Sequence, residues 1–179
     1  MQLELKTCAI RSWQLRDLAS LVEQANNRKI WIGLRDGFPH PYSRRDGREF
    51  LRRMRTARPE TTFAIAVDSR AVGAIGFVLR DDVERVSSEV GYWLGEAFWG
   101  RGITTEALVA ITDYAIKTCG VTRLYAVPFA WNVASCCVLE KAGYVLEARL
   151  RRSAVKDGRI TDQMQYAFIA PEPDILQPS

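Results

Sequence analysis

Histidine is almost missing from this sequence: His40 is the single one in 179 residues, and it stands far along the chain from Cys8, Cys119, Cys136 and Cys137. That scarcity removes the basis for a His/Cys metal centre, so no metal is expected. The four cysteines have no CxxC spacing and nothing like the density of a disulfide scaffold, which makes reduced thiols in a cytoplasmic protein the expectation. No run approaches the ~20 uninterrupted apolar residues needed to cross a bilayer. The opening MQLELKTCAIRSW also lacks the charged-then-apolar profile of a signal peptide, so no membrane association is expected. Internal repeats and low-complexity linkers are absent as well.

What is present is a chain 47% apolar and 26% charged, which fits one globular domain, read here as residues 1–170 with a proline-rich tail over 171–179. The net charge of +4 is unevenly spread, because Arg44, Arg45, Arg48, Arg52, Arg53, Arg55 and Arg58 crowd one segment. Such a run reads either as a solvated helix face or as a patch for phosphates or an acidic surface.

The period of the apolar residues changes along the chain. An opening strand is expected over about Leu3–Arg11, then a helix over Leu15–Asn26, where Leu15, Leu18, Leu21, Val22 and Ala25 recur at helical spacing. GLRDGFPHPY breaks the helix, and Ser43 is placed to cap the next one, which carries Phe50, Leu51 and Met54 on one side. From Thr61 the pattern reads as an antiparallel meander, TTFAIAV, AVGAIGFVL and SSEVGYWLG. A helix over Thr104–Thr118, a strand VTRLYAVP, a helix over Val133–Ala142 and two strands joined at Lys156–Gly158 complete the chain. The expected fold is α+β, with a mixed, mostly antiparallel central sheet of about six to seven strands flanked by helices.

The segment Glu89–Ala107, EVGYWLGEAFWGRGITTEA, carries the chemistry. A strand runs into a turn with Gly100 and Gly102 and then directly into a helix, so backbone N–H groups and a helix N-terminus converge on one spot suited to a pyrophosphate. Arg101 is placed to add a contact or to face solvent. It is neither a GxxxxGK[ST] loop nor a dinucleotide fingerprint, which sets aside those two nucleotide classes.

Residues Trp99–Thr104, WGRGIT, resemble the Q/R-x-x-G-x-G/A acetyl-CoA loop of the GNAT acetyltransferases, with Trp99 in the Gln/Arg place and Thr104 in the final Gly/Ala place. The longer string GYWLGEAFWGRGITTEAL, followed by Asn132, Ser135 and LEKAGY, is similar to the branch that acetylates ribosomal-protein N-termini, with a weaker echo in FPHPYS. The resemblance implies acetyl-CoA as co-substrate. Main chain of Tyr92, Trp93 and Leu94 would pair with the pantetheine arm, and Trp99, Gly100, Arg101, Gly102, Ile103 and Thr104 would hold the pyrophosphate, with Asn132 also on the cofactor side. Transfer would be direct to an amine, with Glu89 as base and Ser135 serving the departing thiolate. The tyrosine that many relatives carry seven residues after the asparagine is Leu139 here. His40 and Tyr42 fall where relatives build the acceptor pocket.

Each residue also has a plainer reading. Glu89 would be a surface carboxylate, Asn132 or Ser135 a helix cap, His40 a loop residue, and Cys136 and Cys137 inert packing thiols. The acceptor expected from the resemblance is a protein N-terminal amine, possibly ribosomal. Small amines such as polyamines, aminoglycosides or amino acids, and a non-catalytic acetyl-CoA sensor, are the alternatives. Direct RNA binding is disfavoured because no aromatic RNP-type platform appears, and monomer and homodimer both stay open.

Overall fold

The computed structural model describes residues 1–171; most of the expected tail over 171–179 lies outside that range. The strands are β1 (Gln2–Glu4), β2 (Ala9–Arg11), β3 (Thr62–Val67), β4 (Arg70–Leu79), β5 (Ser87–Leu94), β6 (Arg123–Ala126), β7 (Val145–Lys156) and β8 (Arg159–Ile169). The helices are α1 (Leu18–Ala25), α2 (Arg28–Trp31), α3 (Arg44–Thr56), α4 (Ile103–Cys119) and α5 (Val133–Lys141). The strands form one eight-stranded sheet in the order β1-β2-β3-β4-β5-β6-β8-β7, antiparallel except for β5 and β6.

One strand more than expected arises because the opening run is two strands. Lys6 and Thr7 turn the chain, their backbone N–H groups donating to the Glu106 carboxylate at 2.7 and 2.9 Å, and Gln2 comes to face Arg11. The helix expected over Leu15–Asn26 begins as a 3-10 turn, Leu15–Asp17, before α1 takes over. The short α2 was not anticipated; Asn27 caps it by accepting from the Lys29 N–H at 2.8 Å. Ser43 caps α3 as its spacing predicts, in a reciprocal box with Asp46. Between β3 and β4, Asp68 and Ser69 both adopt positive φ, which matches the twist of a tight hairpin.

The sheet is covered on both sides around β4, whose residues Ala71–Phe77 are all buried. On one face α4 and α5 pack Ile103, Leu108, Ile111 and Leu139 onto Phe63, Ile75, Phe77, Val90 and Leu94. On the other, α1 and α3 bring Leu21, Ala25 and Leu51 against Trp13, Tyr42, Ala64, Ala71 and Ala74. Burial of this size is the main stabilising term, at roughly 25 cal/mol per Å² of apolar surface. One ion pair lies inside it: Arg11 donates to both carboxylate oxygens of Asp17 at 2.8 and 2.7 Å, and the two residues are 8% and 3% exposed. No helix among the described residues is long and apolar enough to cross a membrane.

Candidate active site

The parallel pairing of β5 with β6 runs only from Ser87–Arg123 to Glu89–Tyr125. Beyond it β5 continues to Leu94 beside β4, whereas the chain after Ala126 stays with β8 through Met164 N–H to Pro128 O (2.9 Å) and Ala130 N–H to Asp162 O (2.9 Å). The two strands therefore part after Glu89. The main chain of Tyr92, Trp93 and Leu94 borders the gap, with an edge left without a strand partner on that side. One of its carbonyls, that of Leu94, accepts from the Trp99 indole N–H at 2.7 Å, so Trp99 braces the turn that follows the strand.

That turn leads into α4. Gly100 and Gly102 have φ of 73° and 76°, a region that a side chain makes costly, and Gly102 is the N-cap. The helix ladder opens with Glu106 N–H to Gly102 O at 3.0 Å, and no side chain caps this end. The N–H groups of Ile103, Thr104 and Thr105 thus precede the ladder as unfilled donors at the positive end of a 17-residue helix. Arg101 is exposed with its guanidinium 5.5 Å from the Phe98 ring centroid. Donors, dipole and a mobile-length cationic side chain suit a pyrophosphate, and the gap beside Tyr92–Leu94 lies at the end of the strand that leads into this turn.

Alternation along β5 sends its side chains to opposite faces. Tyr92 points toward α5, where its hydroxyl lies 2.9 Å from Ser135 Oγ and 3.2 Å from the Ser135 carbonyl oxygen. Asn132 is the N-cap of α5 and accepts from the Ser135 N–H at 3.2 Å, which holds the serine in the first turn. Burial pushes the Tyr92 hydroxyl above its ordinary value despite the Ser135 contact, so it stays protonated and able to donate. Leu139 is fully buried in the core beneath α5. Burial likewise raises the Cys136 thiol, which leaves it an unreactive packing group.

Glu89, Gly91 and Trp93 take the other face. Glu89 is ion-paired on both carboxylate oxygens, with Arg35 on one and Arg80 on the other at 3.3 Å. Arg80 also donates to the Tyr125 hydroxyl and lies 5.9 Å from that ring's centroid. A cavity of about 290 Å³ lies on the Arg35 side, lined by Arg35, Asp36, Phe129, Lys156 and Gln163 among others. A second of about 410 Å³ lies on the Arg80 side, lined by Arg80, Glu84, Ser87, Arg123, Tyr125 and Gln165. Above Gly91 the space is open, since a Cβ there would meet nothing within 4 Å.

The wall of the first cavity is the segment that carries α2, and it is clamped at several points. Asn27 donates to Glu96 at 2.8 Å, Arg28 to Asp157 at 2.6 Å, and Lys156 to Asp36 at 2.7 Å. Lys156 is a buried ammonium, 3.8 Å from the Trp31 ring centroid. His40 stacks on Trp31 of this wall, their ring centroids 5.6 Å apart, and is exposed. Tyr42 is only 4% exposed and packs on Phe38, so it supports the wall from the core; its hydroxyl is pushed up to about 12 by burial.

The structure thus gathers Tyr92, Asn132 and Ser135 on one face, Glu89 on the other, and the glycine turn at the strand's end. Sequence reading missed Arg35, Arg80, Trp31 and Lys156. Arg35 lies within GLRDGFPHPY, beside the expected pocket residues, but nothing local couples it to Glu89.

Residues 8–145 match the family model described as acetyltransferase (GNAT) domain. A probable N-acetyltransferase of Bacillus subtilis, YjcK, is 31% identical over 109 residues, 60% of this chain and 59% of the relative. The ribosomal-protein-serine acetyltransferase of Escherichia coli is 27% identical over 107 residues, 60% of this chain and 59% of its own length. The chain therefore spans less than two thirds of the curated relatives it matches. In three dimensions, RimL, a ribosomal L7/L12 alpha-N-protein acetyltransferase solved with coenzyme A, superposes with a TM-score of 0.81 over 95% of this chain and 98% of that one, at 21% identity. With more than half of its length matched by the family model, this chain belongs to the GNAT acetyltransferase family.

Proposed function

We propose that the protein transfers the acetyl group of acetyl-CoA directly to a primary amine, and that the amine is the N-terminus of a protein, ribosomal in type. The observation that carries this reading is the parting of β5 and β6 after Glu89, beside an anion cradle and between two faces of different chemistry. A thioester threaded through the gap meets a carboxylate on one face and two hydroxyls on the other.

The cradle at Gly100–Thr104 binds the pyrophosphate through backbone N–H groups, and the free edge at Tyr92–Leu94 aligns the pantetheine arm as an added strand does. Acetyl-CoA supplies an activated acyl carbon. Glu89 accepts a proton from the incoming ammonium, directly or through a water, which leaves the neutral amine. The nitrogen then forms a bond to the thioester carbon and the carbon–sulfur bond breaks. Ser135, hydrogen-bonded to Tyr92, gives the departing sulfur a proton and recovers one, through Tyr92 or solvent, from the nitrogen, which loses it on becoming the amide, while Glu89 releases its own to solvent. Atoms balance as amine plus thioester to amide plus thiol, with no acyl-enzyme needed.

The names of the relatives support the N-terminal acceptor over polyamines or aminoglycosides, and a cytoplasmic site of action near the ribosome follows from that reading. The open polar face around Glu89 supports it too, since an extended chain end fits a groove with a cavity on either side.

Thiol release from acetyl-CoA, measured with N-terminal peptides, polyamines and aminoglycosides, tests the reading. Turnover on peptides that falls about 10²- to 10⁴-fold in Glu89→Gln is expected. Tight acetyl-CoA binding without turnover on any acceptor would instead make the protein a sensor.

A further inference from the structure

Glu89 is the proposed base, yet both of its oxygens are held by guanidinium groups. An ammonium that approached this carboxylate unaccompanied would place a third cation beside Arg35 and Arg80. Glu84 offsets Arg80, Glu147 matches Arg123 and Lys156 holds Asp36, so among the described residues Arg35 has Glu89 as its one ion-pair partner. Like charges brought together without a counter-ion are disfavoured.

The arrangement resolves if the acceptor brings its own anion. Arg35 is the more loosely held of the two, 73% exposed against 39% for Arg80, which is also fixed to Tyr125. It lines the cavity of about 290 Å³ together with the buried ammonium of Lys156 and the amide of Gln163. That volume is near the lower limit for small-molecule sites and takes one short side chain.

We infer that the preferred acceptor is an N-terminus followed directly by an acidic residue, whose carboxylate enters this cavity and takes Arg35 away from Glu89 while the ammonium takes Arg35's place. The exchange swaps one ion pair for two: Glu89 gains the ammonium it must deprotonate, and Arg35 gains the acceptor's carboxylate in a fork-shaped contact. Arg35 is then a specificity and positioning residue that unmasks the base only for an acceptor of matching charge. This inference rests on the proposed acetyl transfer to protein N-termini and narrows it.

Three hexapeptides identical except for Asp, Asn or Lys at the second position, offered with acetyl-CoA to wild type, Arg35→Gln and Arg35→Lys, test it. Wild type is expected to favour Asp over Asn by about tenfold in kcat/KM, with Lys slowest. The Asp preference should vanish in Arg35→Gln and should return in Arg35→Lys. Equal rates on Asp and Asn peptides in wild type, or a preference that survives in Arg35→Gln, overturns the inference and leaves acetyl transfer standing. Failure of all three peptides, with acetyl-CoA bound, overturns the N-terminal acceptor and this inference with it.

Discussion

The Tyr92 hydroxyl stands 2.9 Å from Ser135 Oγ, across 43 residues of sequence and from the strand to the helix that flank the proposed thioester channel. Two hydroxyls in contact share the work of protonating a leaving group. Ser135→Ala is therefore expected to lower kcat by only about tenfold, because Tyr92 remains as donor, and Tyr92→Phe by a similar factor. The double variant should lose more than the product of the two, because neither hydroxyl is then left to replace the other. Product factors that multiply would mean that the hydroxyls act independently.

The open space above Gly91 gives a second expectation. Gly91 has an ordinary strand conformation and a Cβ there meets nothing within 4 Å, so Gly91→Phe starts a side chain there without backbone strain or contact at its Cβ. Its ring would fill the approach to Glu89 on the acceptor face. Acetyl-CoA affinity should be unchanged, while kcat/KM for the acceptor falls at least about tenfold through lost positioning. An equal loss of acetyl-CoA binding would put the cofactor, and not the acceptor, on this face.

These two sites differ in how far they were legible from the sequence. The strand, glycine turn and helix from Glu89 to Ala107 are contiguous, and so are Asn132 and Ser135, so local rules of turns and caps place them. Ser43 was readable for the same reason, though its reciprocal partner Asp46 was not read as one. The eighth strand escaped because the opening run has no glycine or proline to mark its turn, which is fixed by Glu106 about a hundred residues away. Arg35, one partner of Glu89, and Asp36, the partner of Lys156, lie 54 and 120 residues off in the chain, in the loop after the short α2, and no spacing rule reaches so far. Tyr92 was read for its main chain alone; that its side chain meets Ser135 depends on which face of β5 packs against α5.

The buried pair Arg11–Asp17 should dominate any single-site stability measurement. Asp17 accepts two bonds from Arg11 and one from the Gln14 N–H at 2.9 Å, while being 3% exposed. Asp17→Asn leaves a guanidinium buried beside a neutral amide, at an expected cost of about 3–5 kcal/mol. Urea unfolding would register it as a lower midpoint with an unchanged slope. A loss under about 1 kcal/mol would mean that water reaches the pair and screens it as at a surface.

Alkaline pH should unfold this protein sooner than its core alone suggests. Burial pushes the Cys8 thiol up from 9.0 to about 11 and the Tyr42 and Tyr144 hydroxyls from 10.0 to about 12. Each group is neutral when protonated, and its folded value is raised above its unfolded one. The folded state therefore holds these protons after the unfolded state has released them, and stability falls as pH rises from about 8 toward 12. Below about pH 8 the contribution is fully present, so no dependence from these groups is expected between pH 7 and about 8. Tyr42→Phe is the cleanest probe, because Tyr144 also meets the Thr112 hydroxyl at 2.7 Å and would lose that bond. Chemical unfolding of wild type and Tyr42→Phe at pH 8, 10 and 11 should show a shallower alkaline decline in the variant, by roughly 1–2 kcal/mol at pH 11. Parallel declines would show that Tyr42 ionises alike in both states and that water reaches its hydroxyl behind the acceptor wall.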